Sequence, residues 1–196
     1  MRSLIIIGNG EVNEDYTSFV DNADYVVRFN WLQNYNKNTG KRVNALALAS
    51  AKTHIDNYLE PSSQYQNNHI CLFKSILMRI DLLLFPIPDA NRNCTNRLRR
   101  IAFFVDSFSL QKKSRKYYFC EDSYLDDLGV QKKPLHQIVP SSGYTVIRNI
   151  LDDSSFNNFD IYLLGFNWRG WQGHSWSKEA KVIHHLVASS QRITIL

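Results

Sequence analysis

The chain has 196 residues, with 23 Lys and Arg against 18 Asp and Glu, a formal net charge of +5 and a pI near 9.1. At 44% hydrophobic and 13% aromatic it carries enough apolar surface to offset the entropy of ordering, which excludes a disordered chain. Charged residues at 21%, five Pro and eight Gly exclude coiled-coil, collagen-like and linker-rich classes, and the length suits a single domain over residues 1–196.

In chain order, Leu4-Ile5-Ile6-Ile7 is a continuous apolar run, the mark of a strand buried on both faces. It stops at Gly8-Asn9-Gly10, ahead of a polar helix candidate near 13–22. Strands follow at 25–30 and 45–49, and strand character returns near 70–73, 81–85 and 101–105. After Pro140-Ser141-Ser142-Gly143, the residues Val146, Ile147, Ile150 and Leu151 share one helical face. Residues 159–165 read as a buried strand, Ala180 to Val187 as a helical stripe, and 192–196 as a closing strand. Apolar strands alternating with amphipathic helices predict a single Rossmann-like α/β domain, a mostly parallel sheet flanked by helices as an α/β/α sandwich.

Cys71, Cys94 and Cys120 are odd in number and have no CxxC spacing. They suit neither a disulfide framework nor a tetrahedral zinc site, so a reducing cytoplasm and no metal are expected. No apolar run approaches the ~20 residues of a bilayer span, and Met1-Arg2-Ser3 leads straight into a strand pattern, so no signal peptide is expected. Arg97, Arg99, Arg100, Lys112, Lys113, Arg115, Lys116, Lys132 and Lys133 crowd the middle third. They read either as a solvated basic surface or as a less regular basic insertion or lid near 86–135 that meets an anionic partner, such as an acidic glycan or the inner membrane face at its periphery. No nucleic-acid module motif accompanies them, so nucleic acid is not an expected partner.

In such a fold the chemistry belongs at the carboxyl ends of the strands, where three polar clusters fall. The glycines of Gly8-Asn9-Gly10 let backbone amides approach a phosphate ahead of a helix, although position 13 is Asn and strand two ends in Arg28-Phe29-Asn30 rather than in the carboxylate an NAD ribose wants. Ser141, Ser142 and Gly143 suit either a helix cap or an anion at a helix mouth. Gly165 to Trp176 packs three Trp and three Gly into one loop, which suits stacking on a sugar or base. His174 lies just ahead of the last helix, where the dipole disfavours added positive charge; that suits a proton-accepting base. Glu179 sits well round the helix from it, so orienting the loop or favouring the helix start by charge are alternatives to direct pairing.

Ile5-Ile6-Ile7-Gly8-Asn9-Gly10 followed by Asp24-Tyr25-Val26-Val27-Arg28-Phe29-Asn30 resembles the long motif of the sialyltransferases of glycosyltransferase family 29. Pro140-Ser141-Ser142-Gly143-Tyr144, leading to Asp160-Ile161-Tyr162-Leu163-Leu164-Gly165-Phe166, is similar to that family's short motif, and His174-Ser175-Trp176-Ser177-Lys178-Glu179 to its very short motif. The bacterial sialyltransferases of family 42 share the same logic. The motifs cover well under half of the chain and leave the middle third unmatched; the family's paired cysteines and its His-Tyr motif have no counterpart.

The resemblance implies an inverting, metal-independent glycosyltransferase of bacterial type with no cofactor beyond its CMP-sugar donor, carrying sialic acid or Kdo. A glycan or glycolipid acceptor would follow, in surface polysaccharide or lipopolysaccharide biosynthesis. It implies nucleotide contacts from Gly8, Asn9, Gly10, Asn30, Ser141, Ser142, Gly143, Gly165, Phe166 and Asn167, and a catalytic pair in His174 and Glu179. Trp168, Trp171 and Trp176 are candidates for lining the sugar or acceptor. Two other readings stay open: a nucleotide-binding Rossmann-type protein without transferase activity, and an NAD or S-adenosylmethionine enzyme.

Overall fold

The computed structural model describes residues 1–61, 67–88, 94–110, 113–119 and 140–196. Its centre is β1 (Arg2–Ile7), whose four residues Leu4 to Ile7 are all buried because helices cover both faces of the sheet. Each contributes about 1.5–3 kcal/mol by leaving water. From β1 the chain builds outward in one direction through β2 (Tyr25–Phe29), β3 (Ala45–Ala47), β4 (Leu82–Pro88) and β5 (Ser114–Phe119). It then returns past β1 to add β6 (Phe159–Leu164) and β7 (Ile193–Ile195) on the other side. The result is a seven-stranded parallel sheet of order β5-β4-β3-β2-β1-β6-β7. The expected α/β, Rossmann-like sandwich is what forms.

Helices α1 (Thr17–Asp21), α2 (Lys52–Leu59), α3 (Asn67–Arg79) and α4 (Cys94–Ser107) lie on one face. Buried Leu46, Leu83 and Phe85 of the sheet meet Ile55, Tyr58, Phe73, Ile76, Leu77 and Phe104 there. Helices α5 (Ser142–Asp152) and α6 (Trp176–Ser189) cover the other face, where Val146, Ile147, Ile150 and Ile183 pack on Leu4, Ile6, Val27 and Leu163. The change of face comes with the change of direction, as right-handed crossovers require.

Two expected strands are helices. Residues 70–73 belong to α3 and 101–105 to α4. In both, a short apolar run hides helical spacing: Phe73, Ile76, Leu77 and Ile80 are buried on one side, as are Ile101, Phe104 and Val105, whereas Phe103 is exposed. The helix expected near 13–22 is only the short α1. Helix α2 and strand β5 were not anticipated, β5 because Arg115 and Lys116 make it read as a charged loop; a charged strand suits its place at the sheet edge. That edge is braced to the residues after α5, with Arg115 ion-paired to Asp153 and the Tyr117 hydroxyl donating to the same carboxylate at 3.2 Å. The described part of the stretch read as an insertion near 86–135 is therefore the end of β4, helix α4 and strand β5. Lys112, Lys132, Lys133 and Cys120 lie outside the described residues. Among the described residues no helix is long and apolar enough to cross a membrane.

Candidate functional site

The crossover direction reverses between β1 and β6, and the loops that leave these two strands flank a crevice of about 770 Å³ at the carboxyl ends of the strands. This is where an open parallel sheet places its ligands. All of the residues anticipated for nucleotide contact line it, together with Trp168, Trp171, His174 and Trp176; Glu179 does not.

The glycines after β1 have a different purpose from the one expected. Gly8 N–H donates to Leu164 O and Gly10 N–H to Gly165 O, both at 2.8 Å, so these amides are committed to backbone and do not offer themselves to a phosphate. A Cβ on Gly8 would lie 2.4 Å from Gly165 O, and one on Gly10 would lie 2.6 Å from the same atom. Gly165 in turn adopts φ +69° against Gly8 O and Gly10 O. The three glycines are a clasp between two loops, and Asn9, exposed at its tip, is the member left to face a ligand. Gly8→Ala is expected to cost about 1–3 kcal/mol in a urea titration, because backbone rather than a movable side chain must give way. A variant as stable as wild type would show that the clasp opens freely.

The chain after β2 supports that clasp, through residues the sequence reading did not single out. Asn34 Nδ2 donates to Gly8 O at 2.9 Å and to Gly10 O at 2.7 Å. Asn34 is held by Thr39, whose hydroxyl donates to Asn34 O, and Thr39 by Arg28 Nη1 at 2.9 Å. Arg28, 2% exposed, also donates to Arg42 O, Thr39 O and Gly40 O. Asn38 ties the same loop to Val12 O at 2.9 Å. The available signal was the run of asparagines from 30 to 44, since Asn side chains bond local backbone in irregular segments. Asn30 sits at φ 48°, a conformation Asn tolerates, and its Oδ1 accepts from Ala49 N–H at 3.0 Å and Tyr58 hydroxyl at 2.9 Å. Its Nδ2 is the group it can present to the crevice.

Ser141 caps α5: its Oγ accepts from Tyr144 N–H at 3.1 Å. The same hydroxyl donates to Glu179 Oε2 at 2.6 Å, and Ser141 N–H donates to Glu179 Oε1 at 2.9 Å. Glu179 is fully buried behind the helix mouth. Of the alternatives open for these two residues, the bonds favour the helix cap for Ser141 and an orienting role for Glu179. Glu179 is a strut with both oxygens on Ser141, and Ser141 is held within the fold. Ser142 and Gly143 are the positions of that cluster that open to the crevice, and Gly143 is small because a Cβ there would come within 2.9 Å of the Phe166 ring.

Residues 165–176 form the aromatic wall. The Phe166 ring stands edge-on to Phe29 at 6.1 Å and inclines over Trp168 at 5.5 Å. The His174 ring lies between Trp171 and Trp176, 4.9 Å from each and nearly perpendicular to both. Trp171 O accepts from Trp176 Nε1 at 2.9 Å and from His174 N–H at 3.2 Å, which closes the turn. A Cβ on Gly173 would come within 2.1 Å of the Trp171 ring. Trp171 is 64% exposed, so the wall ends in an uncovered ring at the mouth.

The opposite wall was not anticipated. Gln33 follows β2, Thr53 and His54 open α2, and Arg97 reaches in from α4. Burial pushes the His54 imidazole below its ordinary range. Among the described residues, no Asp or Glu lines the crevice, and no group of three or more His, Cys, Asp or Glu is placed to hold a metal ion.

No family model matches the chain. It is 25% identical over 200 residues, 97% of this chain and 91% of the relative, to the urease operon 23 kDa accessory protein of Rhizobium meliloti (strain 1021). That near full-length likeness overturns the sialyltransferase resemblance, which rested on short glycine and serine motifs, and with it the glycosyltransferase activity and the place in surface-glycan synthesis. The CMP-sugar donor, the glycan or glycolipid acceptor and the anionic membrane face are withdrawn as partners on the same ground. What the chain is similar to is an accessory protein of a urease operon.

Proposed function

We propose that this chain is a nucleotide-binding protein of accessory type, without transferase activity. The observation that carries the reading is the crevice at the reversal of the sheet, which sets aromatic rings, amide groups and a helix mouth around one space that no carboxylate lines among the described residues. A base would stack on Phe166 and Trp168, with Asn9 and Asn30 offering amide groups to its edge or its ribose. A phosphate would sit at Ser142 and Gly143, where the first turn of α5 directs N–H groups and the positive end of its dipole. The name of the relative supports an accessory role. β2 ends in Arg28-Phe29-Asn30 with no carboxylate for a dinucleotide ribose, which favours a nucleotide over NAD. We place the protein in the cytoplasm, where the free, exposed thiol of Cys71 suits a reducing compartment.

Isothermal titration against nucleoside mono-, di- and triphosphates, NAD and S-adenosylmethionine tests the reading. At least one nucleoside phosphate is expected to bind and to be recovered chemically unchanged. Trp168→Asn keeps a residue suited to the φ of 49° at that position while removing the ring. It should weaken binding about 5- to 150-fold, given ~1–3 kcal/mol for a base stacked on an aromatic side chain. Absence of binding, or binding indifferent to Trp168, would overturn the proposal.

A further inference from the structure

Among the described residues, the carboxamides that line the crevice are those of Asn9, Asn30, Gln33 and Asn167. A carboxamide has a donor end and an acceptor end of nearly the same shape, so what it reads depends on which end is held. No hydrogen bond to a described residue holds the side chains of Asn9, Gln33 or Asn167, and each can turn either end to a ligand. Asn30 cannot. Ala49 N–H, which can only donate, lies 3.0 Å from Asn30 Oδ1 and so fixes that end of the group as the oxygen. The Tyr58 hydroxyl donates to the same oxygen at 2.9 Å. With both lone pairs of Oδ1 engaged, Asn30 has Nδ2 alone to offer, and Nδ2 has no hydrogen-bond partner among the described residues. The main chain is pinned as well, by Asn30 N–H donating to Ala47 O at 2.9 Å. Tyr58 stands behind the wall of the crevice, on α2 and 1% exposed, with its ring packed against Trp31 at 5.3 Å and Phe73 at 5.7 Å. Its hydroxyl is therefore a fixed point, and a group already held in its bound geometry loses little entropy when a ligand arrives.

We propose that Asn30 is a specificity-determining residue of the crevice, a donor of fixed polarity that accepts a ligand where it presents an unprotonated oxygen or ring nitrogen, and that Tyr58 is the positioning residue that holds it so. The proposal rests on the nucleotide reading. In a nucleotide the matching atoms are a base carbonyl oxygen, an unprotonated ring nitrogen or a ribose oxygen. A ligand that brings an N–H or amino group to this point sets hydrogens against hydrogens and is rejected.

The test titrates the monophosphates of adenosine, guanosine, cytidine and uridine into wild type, Asn30→Gly, Asn30→Asp, Tyr58→Phe and the double variant Asn30→Gly with Tyr58→Phe. About 0.5 M salt screens the repulsion between a new carboxylate and the ligand phosphate. Gly and Asp both suit the φ of 48° at position 30, and Phe keeps the packed ring at position 58. Asn30→Gly removes the donor and is expected to weaken binding about 2- to 13-fold, the worth of one neutral hydrogen bond. Asn30→Asp keeps an acceptor for Ala49 and Tyr58 but turns an acceptor toward the ligand, and should bind at least about threefold more weakly than Asn30→Gly. A structural role alone gives the reverse order, since Asp preserves the bonds that Gly loses. Tyr58→Phe is expected to weaken binding about 2- to 5-fold by itself and to add nothing to the loss in Asn30→Gly, as befits a residue that acts through Asn30. An equal loss in both backgrounds would overturn the positioning role of Tyr58. Asn30→Asp binding as tightly as Asn30→Gly, or more tightly, would overturn the donor assignment; if Trp168→Asn still weakens binding, the nucleotide reading survives it. No binding of any monophosphate to wild type would sink the nucleotide reading and this assignment with it.

Discussion

Glu179→Ala is expected to lower the free energy of unfolding by about 2–6 kcal/mol, roughly 1–3 kcal/mol for each buried donor left without its acceptor. Those donors are the backbone N–H and the hydroxyl of Ser141, both held on Glu179 inside a region closed to water. Glu179→Gln keeps one acceptor oxygen and should fall between alanine and wild type. The loss will not be confined to stability. With Ser141 released, the cap on Tyr144 N–H loosens, and the helix mouth at Ser142 and Gly143 loses its fixed position. Urea titrations of the three proteins, with nucleotide affinity measured in each, check both consequences. An alanine variant within 0.5 kcal/mol of wild type, the scale of an ordinary surface change, would remove the strut from the account.

Arg28→Leu is the second large effect, expected to cost about 2–4 kcal/mol. Two terms compete. Hydrogen bonds to a charged group are worth about 1.5–3 kcal/mol each, and the guanidinium makes four of them, all to neutral acceptors in residues 39–42. Against this stands the cost of holding a cation away from water with no carboxylate bonded to it. That cost is visible in the group itself: burial pushes the Arg28 pKa down to about 10, opposed by Asp21 and the Tyr35 phenol. The bonds prevail because their loss also leaves buried carbonyl oxygens without donors. Arg28→Lys is expected to recover little, since a single ammonium cannot reproduce a planar fork that reaches three residues. Hydrogen exchange across residues 31–44 should accelerate in both variants; a lysine variant as stable as wild type would refute the account.

The sheet was legible where patterning is strong. Leu4–Ile7 is apolar without interruption and Phe159–Leu164 is broken only by Asp160 because both of their faces are covered, and the 146–151 stripe has one face only. It was illegible where a run was too short to show its period, as at Ile70–Phe73, or where a strand lay at the edge and took charged residues, as at Ser114–Phe119. The position of the crevice also followed from the sequence, since Gly8, Ser142 and Gly165 all end or begin elements at one end of the sheet. Their purpose did not. A glycine required by a neighbouring carbonyl is the same letter as one required by a phosphate, and only the 2.4 Å approach of Gly165 O separates the two. Arg97 and His54 were missed because α2 and α4 were not recognised as helices that open toward the crevice.

The return of the chain past β1 has a consequence for how the protein is made. Until Phe159–Leu164 has left the ribosome, β1 pairs only with β2 and is the edge of the sheet rather than its centre. For most of synthesis, then, a strand whose last four residues, Leu4 to Ile7, are all apolar presents a row of unpaired backbone groups, the template on which strands from other chains add. A nascent or truncated chain ending before residue 159 is therefore a sticky species. The arrival of β6 both completes the crevice and removes the surface on which the unfinished protein would aggregate.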